Sequence, residues 1–113
     1  MYFLDEEHRK EFHRLFGRLE KAHEKEYLAA FYVLTADEEL RKKGAQFVGR
    51  NGIDWQSIFC QDWSSGYRLL LELAQSLFQS SGQIDFADGL CTWDDVRLNL
   101  AMQAIYVRRK GLK

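Results

Sequence analysis

The chain has 113 residues, of which 46% are hydrophobic and 29% are charged, and its net charge is −1 at pH 7. These values are typical of one globular domain over residues 1–113, and they exclude a disordered chain and a broad basic surface for nucleic acid. No apolar run approaches the ~20 residues that span a membrane, and the N-terminal MYFLDEEH lacks the basic region of a secretory signal. The two cysteines form no disulfide framework and no zinc motif, so we expect a cytoplasmic protein without a metal or other cofactor.

The first predicted elements are helices, because the sequence has no proline and many straight-chain helix formers. Asp5 is a favoured N-cap residue, and apolar residues follow it at helical spacing, which predicts a first helix with one buried face. The charged stretch 20–26 predicts a solvated junction. The next stretch, YLAAFYVL at 27–34, is apolar on nearly all sides, so we expect a largely buried second helix.

A third, short helix is predicted after the motif TADE. Thr35 and Glu38 have the spacing of a capping box, and a basic turn before Gly44 is typical of a helix end. The stretch 45–53 contains two glycines, one of them in an Asn-Gly pair, which predicts a loop.

Two further helical segments follow the loop. Asp54 is a candidate N-cap for a short helical turn. Either Ser64 or Ser65 begins a longer helix with apolar residues at helical spacing, and the stretch SSGQ at 80–83 ends it.

The stretch FADGLCTWDD at 86–95 crowds three carboxylates, a glycine, a cysteine and a tryptophan into ten positions. Thr92 and Asp95 have the spacing of a capping box, so we expect Thr92 to begin the last helix. Asp88 and Gly89 together predict a turn before that helix.

The last helix is predicted to end at the basic residues 108–110, which precede Gly111. Apolar residues between positions 96 and 107 cover much of its circumference, which predicts that the helix runs through the core. Together these elements predict a compact all-α bundle of about five helices with a buried C-terminal helix.

An aromatic series in the middle of the chain is the most suggestive candidate for a binding site. Its members are each four residues from the next: Trp55, Phe59, Trp63 and Tyr67. On one helix they would form a slowly drifting stripe, for which core packing is the ordinary explanation. The alternative is an exposed anchor, because tryptophan and tyrosine dominate interface hot spots.

The acidic character of the same region favours a protein partner with a basic surface. Residues 54–95 contain seven acids and one base, a net charge of −6. The predicted protein-binding site consists of the two tryptophans and the aspartates beside them: Asp54, Trp55, Asp62 and Trp63. We expect at least one of these tryptophans to be exposed.

The three histidines stand near glutamates, but their spacing matches no metal-ligand motif. His8 and His13 point about 140° apart around a helix, so we expect them and His23 to be solvated or near helix ends, with no metal site. Neither Cys60 nor Cys91 stands in a recognisable nucleophile motif.

Two other functions remain as alternatives to protein binding. One is a small enzyme or ligand-binding protein in which His8 acts together with Asp88, Asp94 or Cys91. Its predicted pocket consists of His8, Asp88, Trp93 and Asp94. The other is a DNA-binding regulator that uses the basic segments 41–50 and 108–113. The slight negative charge of the whole chain makes nucleic-acid binding the weakest of the three.

Three segments of the chain resemble one protein family: FLDEEHRKEF at 3–12, YLAAFYVLTADEELRK at 27–42 and DGLCTWDDVRLNLAMQAIYVRR at 88–109. They are similar to a family of small uncharacterised proteins of Gram-positive bacteria and their phages, a domain of unknown function. The matching residues are Phe3, Leu4, Glu7, His8, Arg9, Asp88, Gly89, Thr92, Trp93 and Asp94. The resemblance is weak from 43 to 87. It implies a cytoplasmic, mobile-element context and no established activity or cofactor.

The sequence contains no catalytic constellation. We therefore expect a non-enzymatic protein-binding module, a phage or mobile-element modulator that inhibits a host protein.

Overall fold

The structure is a computed structural model, and it describes residues 1–19, 24–79 and 83–111. Within these ranges the α-helices are α1 Glu6–Leu19, α2 Lys25–Leu34, α3 Glu38–Lys43, α4 Trp55–Phe59, α5 Ser65–Phe78, α6 Phe86–Thr92 and α7 Asp95–Lys110. The all-α prediction is confirmed, but about five helices is too low a number, because the short helical turn predicted at Asp54 is a separate helix, α4, and a further helix, α6, lies where a turn was predicted. The predicted junction at 20–26 and the helix end at 80–83 lie partly outside the described residues.

Helix α2 lies at the centre of the fold. Every residue from 28 to 34 is buried, which confirms the prediction from its apolar sequence. Helices α7, α5 and α1 all pack against α2, so one helix organises the core. None of the helices in the described ranges is long and apolar enough to cross a membrane.

Helix α7 is buried on one side only, so the prediction of a buried C-terminal helix is wrong for its outer side. The buried side consists of Leu100, Ala101, Ala104 and Val107. The two alanines carry small side chains, which allow α7 to lie close against α2. On the outer side, Met102 and Tyr106 keep 60% and 54% of their surface exposed.

Three of the predicted helix starts are confirmed. Asp5 precedes α1, and its carboxylate accepts a 2.8 Å hydrogen bond from the backbone N–H of His8. Asp54 before α4 and Ser64 before α5 likewise accept from the N–H three residues later. These bonds satisfy donors that a helix cannot pair internally.

The two capping-box predictions are wrong in the same way. Asp37 caps α3 and Asp94 caps α7, and each carboxylate accepts a 2.9 Å hydrogen bond from the N–H three residues later. The Thr35 hydroxyl instead donates to a carbonyl at the end of α2, and Thr92 is the last residue of α6. Each threonine therefore lies at the end of the preceding helix, and two residues separate it from the first residue of the next helix.

The predicted loop at 45–53 contains a 3-10 turn at Ala45–Phe47 and an antiparallel hairpin, β1 Val48–Gly49 and β2 Gly52–Ile53. Gly52 has a φ of 127°, a conformation that side chains disfavour, and this allows the tight reversal. The predicted turn at Asp88 and Gly89 is wrong, since both residues lie within α6.

Candidate functional site

The predicted aromatic anchor is part of the core. Trp55 and Trp63 keep only 7% and 8% of their surface exposed, so the prediction of an exposed tryptophan is wrong. The physical reason is that α4 ends at Phe59 and α5 begins at Ser65. The aromatic series therefore spans two helices and their connection, and it cannot form one exposed stripe.

The two tryptophans instead fasten α4 and its connection to the core. The Trp55 ring packs against Phe78 of α5 with 5.7 Å between ring centroids. The Trp63 Nε1–H donates a 2.8 Å hydrogen bond to the Ile58 carbonyl. Core packing accounts for both side chains.

The aspartates of the predicted protein-binding site remain at the surface. Asp54 accepts hydrogen bonds from the backbone N–H and the hydroxyl of Ser57, which lower the pKa of its carboxyl. Asp62 is exposed as well. This part of the surface thus has the predicted charge but lacks the predicted tryptophan anchor.

His8 is fully buried rather than solvated, and it lies in the first turn of α1, so the prediction holds here only as a histidine near a helix end. Its Nδ1 accepts a 3.1 Å hydrogen bond from the Leu4 N–H, and its Nε2 lies 2.8 Å from the Tyr32 carbonyl oxygen. The first bond requires an Nδ1 without hydrogen, so the ring is neutral with its hydrogen on Nε2. Phe3 packs edge-on against the same ring at 5.0 Å.

Burial lowers the pKa of His8 to about 4, because the charged imidazolium would lose its hydration. The Tyr32 carbonyl and the Asp5 carboxylate act in the opposite direction but are outweighed. His8 is therefore a neutral structural residue at neutral pH. It has no exposed surface with which to contact a substrate.

The hydrogen bonds and ion pair of Trp93 and Asp94 are with residues other than His8. Trp93 is buried, and its Nε1–H donates a 3.1 Å hydrogen bond to the Gly66 carbonyl. Asp94 is the α7 cap and also forms a 3.0 Å ion pair with Arg97. Asp88 is exposed on α6. Two of the four side chains thus support packing, and the predicted pocket is not supported.

No cluster of three or more histidine, cysteine, aspartate or glutamate side chains in the described ranges could hold a metal ion. Cys60 and Cys91 are exposed free thiols. His13 is exposed, as predicted, and its Nδ1 bonds the Arg9 carbonyl. His23 lies outside the described residues.

The basic segments of the DNA-binding hypothesis contain many cations with local partners. Lys42 and Lys43 pair with the glutamates four residues before them, and Arg41 donates to the carbonyl six residues before it. Arg108 donates to a carbonyl of α5. Residues 112 and 113 lie outside the described part of the chain.

Helix α6 presents apolar and acidic side chains to solvent. Six of its seven residues are exposed, and Gly89 alone is buried. Phe86 and Leu90 keep 50% and 62% of their surface exposed, and their spacing makes them neighbours on one helix face. We call the two large apolar side chains and two of the acids exposed at this helix the α6 surface: Asp85, Phe86, Asp88 and Leu90.

Gly89 and Trp93 hold α6 in this orientation. A Cβ atom at Gly89 would lie 2.8 Å from the Trp93 ring, closer than real carbon atoms approach. The glycine thus allows the indole to lie directly against the helix, and the Trp93 hydrogen bond joins this assembly to α5. The small contact leaves Phe86 and Leu90 facing away from the core.

The segment of sequence that contains the α6 surface carries only negative charges. Residues 69–96 contain no lysine or arginine, and their five acids are Glu72, Asp85, Asp88, Asp94 and Asp95. Among these, Asp94 has an ion pair in the structure. The exposed apolar side chains of α6 consequently lie in a segment that favours cations.

Sequence reasoning missed this surface because Asp88 and Gly89 were interpreted as a turn. The signal was present, since Asp85 is a favoured N-cap and Phe86 and Leu90 have i,i+4 spacing. That spacing does not predict whether the two apolar residues are exposed, because it is equally typical of a buried helix face.

Comparison with known proteins gives no relative from which a function can be transferred. No family model matches the chain, and no curated protein and no solved structure matches it either. The resemblance to a family of Gram-positive bacteria and phages therefore stays a prediction.

Proposed function

We propose that the protein is a non-enzymatic protein-binding module and that the α6 surface is its binding site. The observation that carries this proposal is the exposure of Phe86 and Leu90 on a helix that presents six of its seven residues to solvent. Exposed apolar residues that lie together and are bordered by polar groups are typical of interaction sites.

The partner that fits this surface is a protein with a basic surface around an apolar pocket. Phe86 and Leu90 would occupy the pocket, because a few well-buried apolar side chains supply most of the free energy of binding. Asp85 and Asp88 would attract the surrounding cations, which speeds association and selects the partner. The resemblance to phage proteins supports a host protein as the partner and its inhibition as the result.

The proposal is tested by capture of proteins from a lysate of a Gram-positive bacterium, with identification by mass spectrometry. The wild type is compared with the double variant Phe86→Ala, Leu90→Ala. We expect at least one protein that the wild type retains and the double variant loses. A set of captured proteins that is the same for both forms would contradict the proposal.

A charge comparison with the captured partner tests the acidic component. Asp88→Lys is expected to slow association and weaken its salt dependence, because the change removes attraction at the α6 surface. Asp62→Lys is the matched control, since Asp62 is also exposed and lies outside α6. If Asp62→Lys slows association and Asp88→Lys does not, the binding site lies near the originally predicted aspartates.

A further inference from the structure

The outer side of α7 carries a second exposed stripe, separate from the α6 surface. Its members alternate in spacing by four and three residues: Asp95, Asn99, Met102, Tyr106 and Arg109. All five are exposed. Spacing of this kind keeps side chains on one line along a helix, and it is the spacing by which two helices pack along a common seam.

The order of residue types along the α7 stripe is its most informative property. An acid stands at the N-terminal end, a base at the C-terminal end, and Met102 and Tyr106 lie between them with more than half of their surface exposed. Asp95 and Arg109 form no salt bridge in the described part of the chain. The stripe therefore offers an apolar centre and two unpaired charges of opposite sign.

Such a stripe is complementary to itself when a second copy runs antiparallel. Met102 stands at the midpoint between Asp95 and Arg109, seven residues from each. A two-fold axis at Met102 would bring Asp95 of each copy to Arg109 of the other, and both Met102 side chains to the axis. Two-fold dimers require this self-complementarity, and antiparallel helices also align opposite ends of their dipoles.

A shallow cavity beside the stripe could accommodate side chains from the second copy. It has a volume of about 430 Å³, and Tyr2, Met102 and Tyr106 contribute to its walls. One hydrogen bond joins Tyr2 to α7, because its N–H donates to the side chain of Gln103 at 3.2 Å.

From this arrangement we infer that the protein forms an antiparallel two-fold dimer through the α7 stripe, with Asp95 of each copy paired to Arg109 of the other. None of the four residues of the α6 surface belongs to this stripe. The inference therefore stands independently of the proposed function.

Sedimentation velocity over a range from low micromolar to millimolar protein tests the inference. The wild type is expected to pass from monomer to dimer as its concentration rises. Asp95→Arg and Arg109→Asp each place like charges opposite one another, and each is expected to raise the dimer dissociation constant by roughly tenfold or more. The double variant Asp95→Arg, Arg109→Asp restores opposite charges in both contacts, so its dimer should return.

Asp88→Lys serves as the matched control, because it reverses an exposed charge on α6 and should leave the dimer unchanged. Circular dichroism of every variant checks that α7 remains helical. A wild type that stays monomeric throughout would overturn the inference. It would also fail if the single reversals have no effect, or if the double reversal remains as weak as the singles.

Discussion

Two apolar regions of the molecule differ in how completely they are enclosed. Around His8, the rings of Phe3, Phe12 and Tyr32 contact one another, and both imidazole nitrogens have backbone partners. We call these four residues the His8 cluster. At the α6 surface, Phe86 and Leu90 face solvent. The segment that contains them, residues 69–96, has five acids and no lysine or arginine.

The difference shows that apolar residues serve two separate purposes in this small chain. The His8 cluster joins the N-terminal segment to α1 and α2. Its apolar rings are covered only when the chain is folded. The α6 surface is held in place by the Gly89–Trp93 contact, so its exposed side chains are free for a partner. Substitutions in the His8 cluster should consequently lower stability, whereas substitutions of the exposed apolar residues of the α6 surface should weaken binding and leave stability nearly unchanged.

The largest effect is expected from Phe12→Ala in the His8 cluster. Phe12 is fully buried, with rings of Phe3 and Phe16 at 5.7 and 5.2 Å, so truncation leaves a cavity. The free energy of unfolding should fall by about 3–5 kcal/mol, measured by urea denaturation. Phe12→Leu, which keeps most of the volume, should lose clearly less. Equal losses in the two variants would show that the site is not tightly packed.

The next largest effect concerns the pH dependence of stability. His8 has a pKa of about 4 in the fold against about 6.5 when unfolded, so the unfolded chain binds a proton between these values while the folded chain does not. The contribution of neutral His8 to the free energy of unfolding is therefore complete above pH 6.5. It is lost as the pH falls toward 4, and the total loss is about 3 kcal/mol.

NMR titration of the imidazole protons measures this directly. We expect His8 to stay neutral well below pH 6.5, the ordinary pKa of histidine, and to take up a proton only near pH 4. Protonation of His8 would also place a hydrogen on Nδ1 against the Leu4 N–H, which should release residues 1–4 as the pH falls. Titration of His8 near pH 6.5 would contradict the burial of this cluster.

An intermediate effect is expected where the α6 surface is attached. Gly89→Ala puts a methyl group 2.8 Å from the Trp93 ring, and relief of this clash should cost about 1–3 kcal/mol of stability despite the better helix propensity of alanine. Gly17→Ala in α1 is the matched control, because open space surrounds its added methyl group. The control should gain roughly 0.5–1 kcal/mol. A stabilised Gly89→Ala variant would contradict the proposed attachment.

A smaller effect separates the α7 cap from the residue predicted to be the cap. Asp94→Ala should lower the free energy of unfolding by about 1 kcal/mol, because it leaves the Arg97 N–H without its acceptor. Thr92→Ala should change it by less than about 0.5 kcal/mol. Thermal denaturation of both variants distinguishes the two residues, and the reverse order would restore Thr92 as the cap.

What the sequence could predict was decided by the range of the interactions involved. Asp5 and Asp54 were correctly predicted as caps, and Ser64 is one of the two serines predicted for α5, since a cap bonds a backbone group three residues away. At Thr35 and Thr92 the prediction failed, because the end of the preceding helix competed for the same residues. The buried α2 was also predictable, since its residues are apolar on every side.

The errors at the predicted sites arose from tertiary packing. The burial of Trp55 depends on its contact with Phe78, 23 positions later, and that of His8 on the Tyr32 carbonyl. No local pattern contains such contacts. The exposure of the outer side of α7 has the same origin, because only the opposite side of this helix packs against α2.

The most direct test compares two leucines in one pair of urea denaturation experiments, Leu70→Ala and Leu90→Ala. Leu70 is fully buried in α5, whereas Leu90 is 62% exposed on α6. Leu70→Ala should lower the free energy of unfolding by about 2–5 kcal/mol, and Leu90→Ala should change it by less than about 0.5 kcal/mol. That result would show that the exposed apolar side chain of α6 contributes nothing to the fold and is available for a partner. A loss at Leu90 comparable to that at Leu70 would contradict the account, because the α6 surface would then be part of the core.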